Sequence, residues 1–236
     1  MVAEKVAIVI PALNEEAAIH QLLAELPQDF AQWVIVVDNG STDATATVAQ
    51  KSGAIVATEP MRGYGRACLK GFKTACSLGA EIVIFMDGDG SDDPTDLPMM
   101  LRPIGEGKAD FVIGSRVSEL AERGAVPAQA RLGNWLVSRM IRLMYGVRLH
   151  DIGSFRVVRC SLLETIDMRE MTYGWPVEML VKAAQAHYRI LELPIHYRHR
   201  SYGRSKVTGT MSGSIKAAYS MLSTTLRYTG ARRTHA

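Results

Sequence analysis

The sequence predicts an α/β fold with a mostly parallel sheet and flanking helices, and two observations carry that prediction. Short runs rich in Val and Ile alternate with longer helical patterns through the first half of the chain, as they do where crossover helices join parallel strands. Polar clusters follow at least three of those runs, at the strand ends where an open parallel sheet binds its ligands. With 236 residues, 47% of them hydrophobic and 22% charged, the chain can bury roughly 70% of its unfolded surface and needs no disulfide or structural metal. We find no repeat, low-complexity segment or linker and read residues 1–236 as one domain.

Strands are expected at about 5–10, 33–38, 54–58, 82–87 and 110–114, each a short β-branched run. Asn14 before Glu15 and Glu16 reads as an N-cap with acids in the first turn of a helix ending near Glu25. Ser41 or Thr42 is the expected cap of a second helix. Gly65–Leu78, closed by Gly79, is the third, and Pro94 opens a fourth at its first turn. The second half predicts a helix at 129–145, a strand near 154–159, helices near 161–166 and 176–186, and a strand at 188–198. A last amphipathic helix is expected from about Thr208 to Tyr228, with Met211, Ile215, Ala218, Met221, Leu222 and Leu226 on one face. It reads either as packed on its own domain or as docked on a membrane.

Cys68, Cys76 and Cys160 are odd in number and scattered, against a disulfide framework or zinc ribbon and for a reducing cytoplasm. The start M-V-A-E-K-V-A-I-V-I-P lacks a signal-peptide pattern, and no apolar run is long enough to span a bilayer. Membrane contact is therefore expected to be peripheral, at the cytoplasmic face. The net charge of +3 is unevenly spread. No acid follows Glu192, while eight bases do; of the 27 bases, 19 remain to face 24 acids in the first 192 residues, a balance of −5. A second acid-free stretch, Arg123 to His150, contains Arg123, Arg131, Arg139, Arg142 and Arg148. Both stretches suit a polyanionic partner or are simply solvated basic surface.

Three strands run into Pro11-Ala-Leu-Asn-Glu-Glu16, Asp38-Asn-Gly-Ser-Thr-Asp43 and Asp87-Gly-Asp-Gly-Ser-Asp-Asp93. Asp87, Asp89 and Ser91, spaced by glycines, are hard oxygen ligands suited to Mg²⁺ or Mn²⁺ shared with a diphosphate; a solvated acidic turn is the plain alternative. An EF-hand loop fails, because its sixth and twelfth positions hold Asp92 and Pro98. Gly63-Tyr-Gly65 lacks the third glycine of a dinucleotide fingerprint and reads as a glycine turn opening a helix, with amides suited to a nearby phosphate. No P-loop, no G-x-S-x-G elbow and no Cys–His pairing is recognisable, and His196-x-x-His199 lacks a third ligand.

The ordered set P-A-L-N-E-E, V-V-D-N-G-S-T-D, M-D-G-D-G-S-D-D-P, V-I-G-S-R, D-I-G-S-F-R and R-S-Y-G-R-S-K resembles inverting family 2 glycosyltransferases of the GT-A fold, a Rossmann-like sheet. Within them it is most similar to the branch of dolichyl- and polyprenyl-phosphate mannose and glucose synthases, over about residues 5 to 210. The resemblance implies a nucleotide-sugar half at about 5–115, an acceptor half at about 116–210 and a basic tail at about 208–236. It implies that Pro11, Leu13, Glu15 and Val37, with Asp38 and Asn39, surround the nucleoside, and that Asp87, Asp89 and Ser91 hold metal and diphosphate. Arg116 would face a phosphate, and Arg200 and Lys206 would close over the diphosphate from a loop hinged at Gly203. Asn39 replaces an acid usual in the branch, and an amide can pair with uracil N3–H and O4, which favours a UDP-sugar over GDP-mannose. Leu13 replaces a tyrosine.

The expected reaction is inverting, metal-dependent hexosyl transfer from a nucleotide sugar. A polyprenyl phosphate acceptor needs positioning by Arg116 and Arg131, beside Ser154, and no general base. A hydroxyl acceptor needs a base, for which Asp151 and Glu178 are the candidates. Rival readings are a non-catalytic sugar-nucleotide or lipid-binding subunit and a nucleic-acid module; the Asp87–Asp96 acids oppose the last. The sequence sets no oligomeric state.

Overall fold

The computed structural model describes residues 4–200, 223–225 and 227–228. Its strands are β1 (Val6–Ala12), β2 (Trp33–Asp38), β3 (Ile55–Thr58), β4 (Ile82–Phe85), β5 (Phe111–Ser115), β6 (Arg156–Arg159) and β7 (Ile190–Pro194). Its helices are α1 (Glu16–Glu25), α2 (Thr45–Lys51), α3 (Tyr64–Ser77), α4 (Leu97–Gly105), α5 (Ala128–Tyr145), α6 (Cys160–Ile166) and α7 (Trp175–Gln185).

The strands form one seven-stranded sheet in the order β3-β2-β1-β4-β6-β5-β7. Pairings are parallel except at β6, which runs antiparallel to both β4 and β5. That reversal matters for the site: it brings the Asp151–Phe155 approach to β6 to the same edge as the loops leaving the parallel strands. The β1 side chains alternate between two buried layers, as both faces of a covered sheet require. Ala7 and Val9 meet α3, and α5, α6 and α7 complete that layer; Ile8 and Ile10 lie in the layer of α1, α2 and α4.

Local ends differ from the expected ones where side chains reach across loops. Asn14 does not cap α1; it lies at φ 52° and its Oδ1 accepts from Thr42 N at 2.7 Å. Neither Ser41 nor Thr42 starts a helix, because Ser41 N donates to Asp38 Oδ1 and α2 begins only at Thr45. β4 stops at Phe85 because the Asp87 N–H turns to Asp92 Oδ2 at 3.1 Å. Pro94 opens a helical turn as expected, and Asp93 caps it, accepting from Thr95 N at 3.0 Å. The helix expected from Thr208 falls mostly outside the described residues, as do Gly203 and Lys206.

Candidate active site

The loops after β1 and β2 are stitched together at the carboxyl edge of the sheet. Glu15 N donates to Thr45 Oγ1 at 2.8 Å, and Ala44 N donates to Glu16 Oε2 at 2.8 Å. Pro11 and Leu13 are half-buried there, and Pro11 O lies against Gly88 in the acidic loop after β4.

That acidic loop gathers several buried polar side chains. Asp89, Ser91, Asp92 and Asp93 are buried and Asp87 is half-buried. Asp89 Oδ1 accepts from Ser91 N at 2.9 Å, and Tyr64 Oη donates to Asp87 Oδ1 at 3.3 Å. Burial and the neighbouring Asp89 charge push the Asp87 carboxyl up to about 6. Burial and Asp87 push Asp92 well above the usual carboxylate range. Asp92 Oδ1 is buried without a hydrogen-bond partner. Crowded, incompletely satisfied carboxylates of this kind fit a hard divalent cation, which would neutralise them and take oxygen ligands. Among the described residues no three Asp, Glu, His or Cys side chains surround one point, so further ligands would have to come from a bound diphosphate or water.

The segment after β7 runs across this loop. Arg198 N donates to Ser91 O at 2.9 Å, and its guanidinium pairs with Asp93 at 2.5 Å and Glu25 at 3.0 Å. Arg200 reaches both Glu15 Oε1, at 3.2 Å, and Asp89 Oδ2, at 2.5 Å. Arg200 thus joins two residues that the family motifs single out, from a third element.

Beside the acids stands Arg116, just past β5, whose charge helps hold Asp87 and Asp92 down. Its Nε and Nη2 donate to the two Asp151 oxygens at 2.7 and 3.0 Å, its backbone N donates to Asp151 Oδ2 at 2.9 Å, and it lies 5.4 Å from the Tyr197 ring centre. Asp151 is fully buried and also accepts from Asn134 Nδ2 and Ile152 N. Burial alone would raise the Asp151 carboxyl, but Arg116 and these donors hold it below the ordinary value. The Ser154 hydroxyl is buried beside Asp87. Beneath them Arg156 donates to Gly153 O and Pro176 O, at 2.7 and 2.6 Å; burial lowers its pKa to about 10.

Several expected roles do not match the geometry. Val37 faces the core against Gly71, with no exposed surface to offer a nucleoside. Asn39 is buried; its Nδ2 donates to Glu59 O and Met61 O, at 3.0 and 2.8 Å, and its Oδ1 accepts from Gly63 N at 2.8 Å. Both amide donors are used by the wall of the site, so Asn39 has none left for uracil O4 and does not favour a UDP-sugar. Glu178 is fully buried, accepting from Arg169 N and Glu170 N and paired with Lys182 at 2.8 Å. It anchors a turn. The Gly63-Tyr-Gly65 amides do not present an open phosphate cradle: Gly63 N serves Asn39, Arg66 N donates to Met171 O, and the backbone of Glu170 and Met171 occupies the space of a Gly65 Cβ. Arg131 is exposed on α5 and makes none of these contacts. His196 pairs with Asp96, whereas His199 joins Glu122 and Arg123 O. Tyr64, Asp92, Asn134 and Tyr197 were not expected at the site; only Asp92 carried a signal, as part of the acidic run.

The model for Glycosyl transferase family 2 matches residues 7–167. The chain belongs to that family. It is similar to an uncharacterized glycosyltransferase of Mycobacterium tuberculosis, 39% identical over 217 residues, 92% of this chain and 96% of that protein. An undecaprenyl-phosphate mannosyltransferase of Micrococcus luteus is 30% identical over 97% of this chain and 98% of its own length. A dolichyl-phosphate hexose transferase of Haloferax volcanii is 33% identical over 89% of this chain and 90% of its own. Among solved structures, glucosyl-3-phosphoglycerate synthase from M. tuberculosis, in complex with phosphoglyceric acid, superposes with a TM-score of 0.78. It is 22% identical, and the match covers 97% of this chain and 81% of that one. The same synthase has been solved with Mn²⁺, UDP-glucose and phosphoglyceric acid. The transferase therefore has the GT-A fold, with the expected mostly parallel sheet.

Proposed function

We propose that this family 2 glycosyltransferase moves a hexose, with inversion, from a nucleoside diphosphate sugar to a polyprenyl phosphate. The observation that carries the reading is the adjacency of an incompletely satisfied acidic cluster, Asp87, Asp89 and Asp92, to Arg116, whose guanidinium Asp151 fixes. The similarity to two transferases named for lipid-phosphate acceptors supports it.

In this reading Asp87 and Asp89, with Ser91 beside them, hold a divalent cation, Mn²⁺ or Mg²⁺, and the diphosphate. When bound, the cation offsets negative charge on the departing nucleoside diphosphate. Arg200, already on Asp89, supplies a second positive charge there, joined by Lys206; Pro11, Leu13, Glu15 and Asp38 flank the nucleoside. An acceptor phosphate oxygen, held by Arg116 with Ser154, attacks the anomeric carbon as the bond to the diphosphate oxygen breaks. The phosphate is already an anion, so no proton has to be removed. That agrees with the engagement of Asp151 and Glu178: each has its oxygens filled by protein donors, and neither is assigned a base role.

The test is transfer of radiolabelled hexose from UDP- and GDP-sugars to a short-chain polyprenyl phosphate in detergent, with Mn²⁺, in the wild type and Asp89→Ala. Product in the wild type, lost in the variant, is expected. A wild type that glycosylates only hydroxyl acceptors overturns the acceptor assignment.

A further inference from the structure

The face of α5 turned away from the site carries an unusual surface. Leu132, Trp135, Leu136 and Leu143 are 67, 56, 41 and 77% exposed. Arg131, Arg139 and Arg142 are exposed among them, and none makes an ion pair with a described carboxylate. At 3.6 residues per turn all seven fall within an arc of about 140°. The opposite arc is the buried one, with Asn134, Val137, Ser138 and Ile141.

We propose that this outward face of α5 docks the transferase on an anionic lipid bilayer. Large exposed apolar side chains interleaved with arginines, around a Trp, suit the headgroup boundary. The apolar groups enter the acyl region, the arginine stems lie along it, and the guanidinium groups meet lipid phosphates. The charge pattern favours this occupant over two others. A second copy packed face to face would bring two sets of three arginines together, with no acid between Arg123 and His150 to offset them. A nucleic-acid backbone would satisfy the arginines but leave the leucines in water.

The same helix couples that face to the site. Asn134, on its buried side, donates to Asp151, which holds Arg116. Docking α5 would therefore set Arg116 at a fixed height above the headgroups. In that respect the inference deepens the proposed function and rests on it. The expected C-terminal helix is the other candidate for docking, yet its described end packs on the protein. Thr224 and Thr225 are buried, Gln185 Nε2 donates to Tyr228 O at 2.6 Å, and Lys182 lies 4.8 Å from the Tyr228 ring centre.

The experiment adds phosphatidylcholine vesicles, with or without phosphatidylglycerol, to the full chain and reads tryptophan emission and co-sedimentation. Trp175 is buried and Trp33 half-buried, so Trp135 dominates any change at the lipid. We expect a blue shift with phosphatidylglycerol vesicles, quenching by brominated acyl chains, and loss of both signals in Trp135→Phe. Leu132→Ser with Leu143→Ser should weaken co-sedimentation at least about tenfold, and Arg139→Gln or Arg142→Gln roughly fivefold each at low salt. Vesicle binding unchanged in the leucine variant, or no quenching of Trp135, overturns the proposal. So does a concentration-dependent dimer that the leucine variant dissolves. Transfer to the short-chain acceptor in detergent separates the two readings: the leucine variant should retain it. A wild type that docks but fails to transfer to a polyprenyl phosphate refutes the function and leaves the docking surface standing.

Discussion

Asp87 and Asp151 lie on the same edge of the sheet and have opposite fates. Around Asp87, burial and like charge raise the carboxyl to about 6, and a neighbouring Asp92 oxygen has no partner. Around Asp151, an arginine, an amide and backbone N–H groups fill both oxygens and hold the carboxyl low. Burial is common to both and distinguishes nothing; what differs is whether the protein itself completes the hydrogen bonding. A completed carboxylate is architecture, and one left crowded and short of donors is prepared for something that binds.

The comparison breaks most clearly through stability. Asp151→Ala leaves Arg116 without its counter-charge and should lower the unfolding free energy by about 3–5 kcal/mol, measured by urea unfolding. Asp89→Ala should show the opposite balance, with transfer falling by roughly 100-fold or more and the thermal midpoint changing far less, because relieved repulsion on Asp87 offsets the lost Arg200 contact and Arg200 keeps Glu15. Exchange of these two outcomes would invert the assignment of architecture and site.

Acid titration sharpens the same contrast. Because the folded Asp151 pKa is depressed, its contribution is present above the ordinary Asp value and lost as pH falls through the folded one. Wild type should therefore lose stability on the acid side more steeply than Asp151→Asn, followed by circular dichroism across that range.

Smaller effects test the walls of the site. Asn39→Asp would set a carboxylate against Glu59 O and Met61 O, costing about 1–3 kcal/mol, with the ratio of UDP to GDP binding unchanged in calorimetry. A shift in that ratio would return Asn39 to the base pocket. Gly65→Ala drives a Cβ into the Glu170–Met171 backbone and should cost about 1–3 kcal/mol, seen as a lower thermal midpoint.

Much of this was legible in the residues. Alternation of β-branched runs with helical patterns placed the strands within a few residues, because period and turn chemistry are local properties. The acidic run after β4 was visible because its members are neighbours in the chain. Asn39 and Glu178 were misplaced for the converse reason: their hydrogen bonds span 20 to 24 residues for Asn39 and join separate elements. Nothing in D-N-G-S says that an amide will face inward to the exit of β3.

The order of elements, the edge of the sheet where polar loops gather and the acids after β4 are each encoded over a few consecutive residues. It took the closed fold to show that β6 runs antiparallel, that Asp151 belongs to Arg116 and Asn134, and that α5 turns Trp135 and its leucines outward while Asn134 turns in. Those outcomes depend on which distant groups complete one another's hydrogen bonds and charges once the chain is closed, and a donor's partner 35 residues away leaves no mark on local spacing.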